Sequence, residues 1–325
     1  MPASEERLEL LGQIVVWYYE ENLDQREIAL RIGKSRSMVS RLLREAREAG
    51  LVQIRVKFPL RSRPDLEQQL VERYGLTEAR VLDNRGLAYE TLLARVGRLA
   101  ARSLQSHLHS DMRISVGWGA SLFHVVRAMP EIQLRGVSAV QMMGSIGEGD
   151  PSIDGSGIVR LLAEKLNGDY HFLATPLLVD REETAQSLLS QQAIRHTLDL
   201  ARESDVAITG IGSVGQIPGI VRAGYFDRAT ITELQERGVV GDLLGFLFDD
   251  RGRPADLPQN RRIVAMPLED LTSIPFVMAV AAGKGKATAI LSVLRGGYLD
   301  ALVTDSTAAE AILHIDTNTS ISEVA

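Results

Sequence analysis

The sequence contains no cysteine, which excludes disulfide bonds and metal sites built from thiolates. Its six histidines show no HExxH or similar spacing, so the pattern does not support a metal site. No uninterrupted apolar run reaches the roughly 18 residues that a membrane-spanning helix needs. The N-terminus, MPASEERLEL, carries acids where a signal peptide carries basic residues. We therefore expect a cytoplasmic protein without a metal.

Size and composition are those of an ordinary globular protein. The 325 residues exceed a typical domain of about 100 to 200 residues and are sufficient for two. Hydrophobic residues make up 45% and charged residues 24%, which is not the balance of a disordered or membrane protein. We expect two domains, each of which buries a core of its own.

Positive charge is concentrated near the N-terminus. The net charge of −6 would by itself argue against nucleic-acid binding, which requires phosphate neutralisation. Residues 25–63, however, contain eleven arginines and lysines against three acids, a net charge of +8 that leaves −14 for the remainder. This asymmetry predicts one DNA-binding end on an otherwise acidic protein.

Three helices are predicted at this basic end. Apolar spacings of three and four residues predict a first helix over residues 7–21. Asp24 is placed to cap a second helix and Gly33 to end it, while Ser35 is placed to cap a third. The residues predicted to face the core are Leu8, Leu11, Val15, Tyr18, Ile28, Ala29, Ile32, Val39, Leu42, Leu43 and Ala46.

The third helix begins with small polar and arginine residues on its outward side. Two short helices separated by a turn, the second bearing such residues, can enter a major groove. Arginine can form two hydrogen bonds to guanine, and serine can donate or accept one. The predicted base-contacting residues are Arg36, Ser37, Ser40 and Arg41, and the predicted phosphate-contacting residues are Arg44 and Arg47. The alternative is a solvated basic helix pair that contacts another protein.

The chain after Gly50 predicts a wing and then a linker. Val52, Ile54 and Val56 alternate with basic residues, as in the strand of a winged helix. Two prolines then flank the basic break RSR, which is typical of a hinge. The predicted domains are a helix-turn-helix over 1–58, a linker over 59–64, and an effector-binding and oligomerisation domain over 65–325.

The larger domain alternates strand-like and helix-like segments. This alternation predicts a Rossmann-like α/β fold, a parallel sheet covered by helices on both faces. The predicted strands are 79–82, 113–117, 137–144, 170–175, 205–212, 262–267, 275–283 and 301–305. The predicted helices are 65–74, 88–109, 120–129, 157–166, 190–203 and 286–297.

Several predicted strands end in glycine-rich turns, at the edge where open α/β sheets bind ligands. Glycine lets the backbone approach a ligand, and free amides at a helix start favour a phosphate. Lys286 would add a positive charge there. The turns contain Gly117 and Gly119 before Ser121, Gly144 and Gly147, and Gly210 and Gly212. The carboxylates that could accept hydrogen bonds from sugar hydroxyls are Glu148, Asp154, Asp242 and Asp249.

Two glycine motifs fall short of nucleotide-binding signatures. Residues 210–215 match GxGxxG, but Pro218 follows where the dinucleotide motif needs a helix. The run AAGKGKA lacks the leading glycine and the Ser or Thr of a P-loop. We therefore expect no cofactor, and we expect Trp118 to pack in the protein.

The ordered set of motifs resembles the SorC family of sugar-binding transcriptional regulators over nearly the whole chain. It consists of QREIALRIGKSRSMVSRLLREAREAGLVQIRV, VGWGAS, SDVAITGIGS, GVVGDLLGFLFDDRG, PLEDL, AAGKGKATAIL and LRGGYLDALVTD. The resemblance implies a sugar-isomerase-like effector domain, frequently tetrameric, which binds a sugar, polyol or sugar phosphate and changes operator affinity. By motif position the implied effector-binding residues are Gly117, Gly119, Ser121, Gly144, Gly147, Gly212, Asp242 and Lys286.

Two departures from the family pattern bear on the ligand. Phosphosugar-responsive relatives tend to carry two hydroxyl residues where this chain has Ala120 and Ser121, and some have arginine at the position of Met143. Both departures weaken the case for a bisphosphate and leave an unphosphorylated sugar or polyol open. The alternative functions are a sugar-phosphate isomerase-like enzyme, for which no residue is marked as catalytic, and a protein-binding scaffold.

Overall fold

The computed structural model of the chain describes residues 5–52, 60–146, 154–215 and 226–324. These residues belong to two units, one of residues 1–59 and one of residues 60–325. Within those described ranges, no helix is both long and apolar enough to span a membrane. The predicted wing beyond residue 52 lies outside the described residues, as do Gly147 and Glu148.

The first unit is formed by helices α1 (Glu5–Tyr19), α2 (Gln25–Arg31) and α3 (Arg36–Glu48). Asp24 begins α2 as predicted, since its carboxylate accepts from the backbone N–H groups of Arg26 and Glu27 at 2.7 and 2.9 Å. The Glu27 carboxylate accepts from the N–H of Asp24 in return, at 2.7 Å. This reciprocal pair satisfies the exposed donors at the helix start. Gly33, at φ +63°, turns the chain between α2 and α3.

The core of the first unit follows the predicted helical faces except at one position. Leu8 is 40% exposed, and Ile14 takes its place beside Leu11. At about 100° per residue, Leu8 lies about 60° from Leu11 on the side away from Ile14, at the margin of the stripe centred on Leu11 and Ile14. The buried residues of this core are Leu11, Ile14, Ile28, Ala29, Val39, Leu42, Leu43 and Ala46.

The second unit is built on a seven-stranded sheet in which every neighbouring pair is parallel. Apolar side chains pack on both of its faces, as a parallel sheet requires. Its strands, in spatial order, are β1 (Glu78–Leu82), β10 (Ala301–Asp305), β9 (Phe276–Val280), β5 (Val206–Gly210), β2 (Arg113–Val116), β3 (Ser138–Gln141) and β4 (Asp169–His171).

A small antiparallel sheet is inserted between β5 and β9. It contains β6 (Gly212–Ser213), β7 (Gly241–Leu243) and β8 (Phe246–Phe248), with β7 in the centre. Among its described residues, the α-helices of this unit are α4 (Pro64–Tyr74), α5 (Tyr89–Gln105), α6 (Ala120–Ala128), α7 (Gly155–Leu166), α8 (Glu182–Ser190), α9 (Gln192–Arg202), α10 (Arg228–Glu236), α11 (Ala287–Arg295) and α12 (Ser306–Val324). The overall α/β class is therefore as predicted.

Several predicted boundaries differ from the structure. The predicted strand over 262–267 forms only single bridges, Ile263 with Leu178 and Ala265 with Met143. Its backbone N–H and C=O groups form hydrogen bonds to two different loops in alternation, so these described residues form no ladder of consecutive pairs. The predicted strand over 205–212 is interrupted after residue 210, where the chain leaves the parallel sheet to pair with β7. The predicted strand over 170–175 ends at residue 171, and the predicted helix over 88–109 ends at residue 105.

Residues 61–63, which belong to the predicted linker, run beside β1. The N–H of Arg63 donates to the carbonyl of Val81 at 2.9 Å, and that of Asp83 donates to the carbonyl of Arg61 at 2.9 Å. Pro64 begins α4, where its missing N–H costs nothing. These three residues thus belong to the sheet unit.

Candidate functional site

The outward face of α3 carries the residues predicted to bind DNA. Arg36, Ser37, Ser40, Arg41 and Arg44 are all exposed, and the buried residues of the same helix are Val39, Leu42, Leu43 and Ala46. At about 100° per residue the five exposed side chains fall within an arc of about 140°. The helix therefore presents one continuous face of arginine and serine, begun by the Ser35 cap, which accepts from the N–H of Met38 at 3.3 Å.

Two acids of the basic segment are held away from this face by their own partners. Glu45 forms a two-point ion pair with Arg7 of α1, at 2.9 and 2.6 Å. The hydrogen bonds from Arg7 lower the pKa of the Glu45 carboxyl. Glu27 is engaged by the backbone of Asp24. The arginines therefore dominate the charge of the exposed face, as phosphate binding requires.

The larger unit has a topological switch point between β2 and β5. From β2 the chain proceeds to β3 and β4 on one side, and it then returns to β5 on the other side. Gly117, after β2, donates its N–H to the carbonyl of Ile208 in β5 at 2.9 Å. A Cβ on Gly210 would lie 3.3 Å from the carbonyl oxygen of Trp118. The carboxyl ends of these two strands thus meet where doubly wound sheets bind ligands.

Helix α6 begins at this switch point. Gly119 precedes it at φ +113°, a conformation that L side chains rarely adopt, and no side chain caps the helix start. Ser121 lies in the first turn and is buried. Uncapped N–H groups and the positive end of the helix dipole favour an anion or a hydroxyl oxygen here.

Asp242 and Lys286 lie next to the second glycine turn. Asp242 of β7 pairs with Gly212 of β6, and its carboxylate lies where a side chain on Gly212 would begin. The ammonium of Lys286 donates to the carbonyl of Ile211 at 2.6 Å. Burial raises the pKa of Asp242 to about 6, although the charge of Lys286 and a backbone N–H from Gly245 favour the ionised form.

Asp305, which sequence reasoning missed, orders the adjoining loop. It is fully buried at the end of β10 and accepts from the N–H of Gly283 at 2.5 Å. Its other oxygen accepts from the side chains of Asn84 and Thr307, at 3.1 and 2.5 Å. The signal in the sequence is an acid that ends an apolar strand and directly precedes Ser-Thr at a helix start. Asp305 thereby fixes the turn that leads to Lys286.

Gly144 has a packing role. A Cβ there would collide with the backbone of Pro176 and Leu177, and its N–H donates to the carbonyl of Val264 at 2.9 Å. The neighbouring Met143 is fully buried in the core. The structure therefore accounts for this glycine by the close approach of two loops.

Two candidate carboxylates are occupied within their own turns. Asp154 accepts from the N–H of Ile146 at 2.9 Å and from the hydroxyl of Ser156 at 2.7 Å. Asp249 accepts from the backbone of residues 251 and 253 and from the guanidinium of Arg253. Among the predicted carboxylates that the described ranges include, Asp242 is thus the one that lies beside the glycine turns and Lys286.

Both units match families of known proteins. Residues 59–314 match the family described as "Putative sugar-binding domain". Residues 12–49 match the helix-turn-helix family described as "Sigma-70, region 4". The two matches correspond to the unit that carries the glycine turns and the unit that carries α3.

Relatives and solved structures match over most of the chain. It is 30% identical over 309 residues to the transcriptional regulator LsrR of Klebsiella pneumoniae, covering 94% of this chain and 93% of that protein. It is 28% identical over 297 residues to the deoxyribonucleoside regulator of Bacillus subtilis, covering 91% and 95%. The crystal structure of the full-length sorbitol operon regulator SorC from Klebsiella pneumoniae is similar at a TM-score of 0.72 and 27% identity, covering 95% and 100%.

Proposed function

We propose, on the premise that the chain belongs to the SorC family of sugar-binding transcriptional regulators, that a carbohydrate effector controls its affinity for operator DNA. The chain is a DNA-binding regulator with a sugar-binding domain. One observation carries this function. The same chain has an exposed arginine face on a helix-turn-helix and, in its parallel sheet, a topological switch point of the kind that binds ligands.

The DNA-binding part of the proposal assigns roles along α3. Arg36, Ser37, Ser40 and Arg41 contact base edges in the major groove, because they lie in the first turns of the second helix of the motif. Arg44 is further along and contacts phosphate, with Arg47. The exposure of all six side chains supports this assignment.

In this proposal, a sugar, polyol or sugar phosphate binds at the carboxyl ends of β2, β5 and β9. Amides after Gly117 and Gly119, with Ser121, bind one end of the effector. Asp242 and Lys286, beside Gly212, bind its hydroxyls, since a carboxylate and an ammonium supply complementary acceptors and donors. Gly144 contributes to the same edge by shaping the loop after β3, and the family resemblance adds Gly147 as an effector-binding residue.

The effector acts by linkage. A ligand that prefers one arrangement of the protein shifts the population able to bind DNA by its difference in affinity for the two arrangements. We propose a homotetramer, as in many members of this family, because two or more helix-turn-helix units on one assembly can bind two half-sites. We further propose that the protein acts in the cytoplasm and without enzymatic turnover, in keeping with the regulator names of its relatives.

The test combines ligand screening with DNA binding. A thermal-shift screen of sugars, polyols and their phosphates should give a hit, because a ligand bound only to the folded state raises the Tm. With that compound, the Kd for a duplex from the chain's own promoter region should change about 5- to 150-fold, the usual range of allosteric coupling.

The same compounds are assayed for chemical conversion. A Kd for DNA that changes neither with salt concentration nor with any of the compounds contradicts the regulator function. Turnover of a sugar phosphate contradicts the non-enzymatic assignment and supports an isomerase-like activity at Asp242.

A further inference from the structure

An ion triad joins three helices on the larger unit. The carboxylate of Asp316 in α12 accepts from Nε of Arg73 in α4 at 2.6 Å and from a guanidinium nitrogen of Arg295 in α11 at 2.7 Å. Arg73 also donates to the hydroxyl of Thr317 at 3.2 Å. The Asp316 side chain is only 13% exposed, so solvent screens these contacts less than those of an ordinary surface pair.

One arm of the triad leads to the proposed effector site. Helix α11 starts directly after Lys286 and ends at Arg295. A Cβ on Gly241 would lie 2.9 Å from Cβ of Ala289, so α11 is seated closely on the strand that carries Asp242. Close-packed elements move as units, so a displacement at Lys286 or Asp242 carries Arg295 with it.

The other arm leads to the entrance of the chain into this unit. Helix α4 is the first helix after the boundary at residues 59 and 60, and it starts at Pro64. Arg63, directly before it, pairs with Glu310 of α12 at 3.0 Å, and Arg73 at its last turn pairs with Asp316. Helix α4 is therefore fastened to α12 at both ends.

We propose that Asp316 is a positioning residue that couples the effector site to the segment joining the DNA-binding unit. Movement of α11 is passed through the pair of arginines to α4, the first helix after the boundary between the two units. The inference rests on the proposed function, and it adds the route of coupling. Contacts between successive elements do not by themselves establish such a route, so the test measures coupling energies between its residues.

The test is a double-mutant cycle that needs no identified ligand. Lys286→Met perturbs the effector end, Asp316→Asn breaks the triad, and both are combined. The first readout is the Kd for a duplex from the chain's own promoter region. The second readout is hydrogen exchange of the α4 amides, which needs no DNA.

Asp270→Asn is the matched control. Asp270 likewise accepts from an arginine, Arg202, at 2.8 Å, and that arginine also binds Asp199 at 2.7 Å. None of these residues lies on α4, α11 or α12. A general loss of stability therefore affects both carboxylate variants, and a loss of coupling affects only Asp316→Asn. Arg295→Gln, which removes one arm, replaces Asp316→Asn if the latter fails to fold.

The expected result is that Lys286→Met changes the Kd for DNA by about fivefold or more in the wild-type and Asp270→Asn backgrounds. In the Asp316→Asn background the change falls below about twofold, and the α4 exchange no longer responds to Lys286→Met. Equal responses in all three backgrounds, or unchanged α4 exchange in the wild-type background, overturn the coupling role. Absence of DNA binding by the wild type refutes the proposed function instead, and the exchange readout still decides the coupling.

Discussion

Gly212 and Asp242 share one space: the carboxylate of Asp242 lies where a side chain on Gly212 would begin. The two residues are register partners in β6 and β7. We predict that Gly212→Ala displaces Asp242, removes the thermal shift produced by the effector and destabilises the protein by about 1 to 3 kcal/mol, the usual cost of overpacking. Urea unfolding and the ligand screen measure the two effects.

Gly12→Ala is the control for that substitution, because a Cβ on Gly12 would meet none of the described residues within 4 Å and Gly12 lies within helix α1. It should be neutral or stabilising by up to about 1 kcal/mol. Retention of the ligand response in Gly212→Ala would remove Asp242 from the effector site.

The pKa of Asp242 gives a prediction on stability. Burial raises this pKa to about 6 from an ordinary value of 3.8. Well below pH 3.8 the carboxyl is protonated in both the folded and the unfolded chain, so folding changes no ionisation. Between about pH 4 and 6 the unfolded chain releases this proton while the folded protein keeps it, so the free energy of unfolding falls by up to about 3 kcal/mol and is constant above that window.

Asp242→Asn should remove this decrease. Urea unfolding of both proteins from pH 4 to pH 8 should show a difference that grows between pH 4 and 6 and is constant above 7. Parallel profiles of wild type and variant would mean that Asp242 titrates at its ordinary pKa in the folded protein.

The sequence could predict those features of the fold that depend on residues close together in the chain. Asp24, Gly33 and Ser35 signal helix ends through their own side chains or backbone freedom, and the structure places each at such an end. The parallel sheet follows from the alternation of apolar strands and helices, and strand ends then bring together the region of Gly117 and Lys286.

Features that depend on distant or very short pairings could not be predicted. Strands of two or three residues, as in the β6–β8 sheet, carry no periodicity to detect. The role of Asp305 depends on Asn84 and Gly283, which are far from it in sequence and from each other. The apolar run 262–267 reads as a strand, yet its backbone bonds alternate between two loops.

The turn between α2 and α3 offers a test of the helix-turn-helix geometry. Gly33 has φ +63°, and within the part of the chain that the structure describes a Cβ there would meet no atom within 4 Å, so the cost of a side chain is conformational. Gly33→Val should lower the stability of the first unit by about 1 to 2 kcal/mol and weaken DNA binding with it. Gly33→Asn should be close to the wild type, because asparagine tolerates the left-handed region. Equal loss in both variants, measured by unfolding and gel shift, would point to a contact of the glycine itself.

Arg41 and Arg47 separate base recognition from phosphate binding on one helix. Arg41 lies near the start of α3 on its exposed face, and its guanidinium contacts Sδ of Met38 at 2.9 Å. Arg47 lies in the last turn and donates to the carbonyl of Leu43 at 3.3 Å. We predict that Arg41→Ala costs about 1 to 3 kcal/mol on operator DNA and little on unrelated DNA, whereas Arg47→Ala weakens both and reduces the slope of log K against log salt by about 1.

Fluorescence anisotropy with operator and scrambled duplexes, from about 50 to 200 mM salt, measures both quantities. Arg160→Ala is the control, since Arg160 is an exposed arginine on α7 of the larger unit, paired with Glu164 at 3.0 Å. Should Arg41→Ala weaken operator and scrambled DNA by the same factor, Arg41 binds phosphate, and base recognition then rests on Arg36, Ser37 and Ser40. Should it leave both unchanged, Arg41 makes no contact with DNA and does not belong to the base-contacting residues of α3.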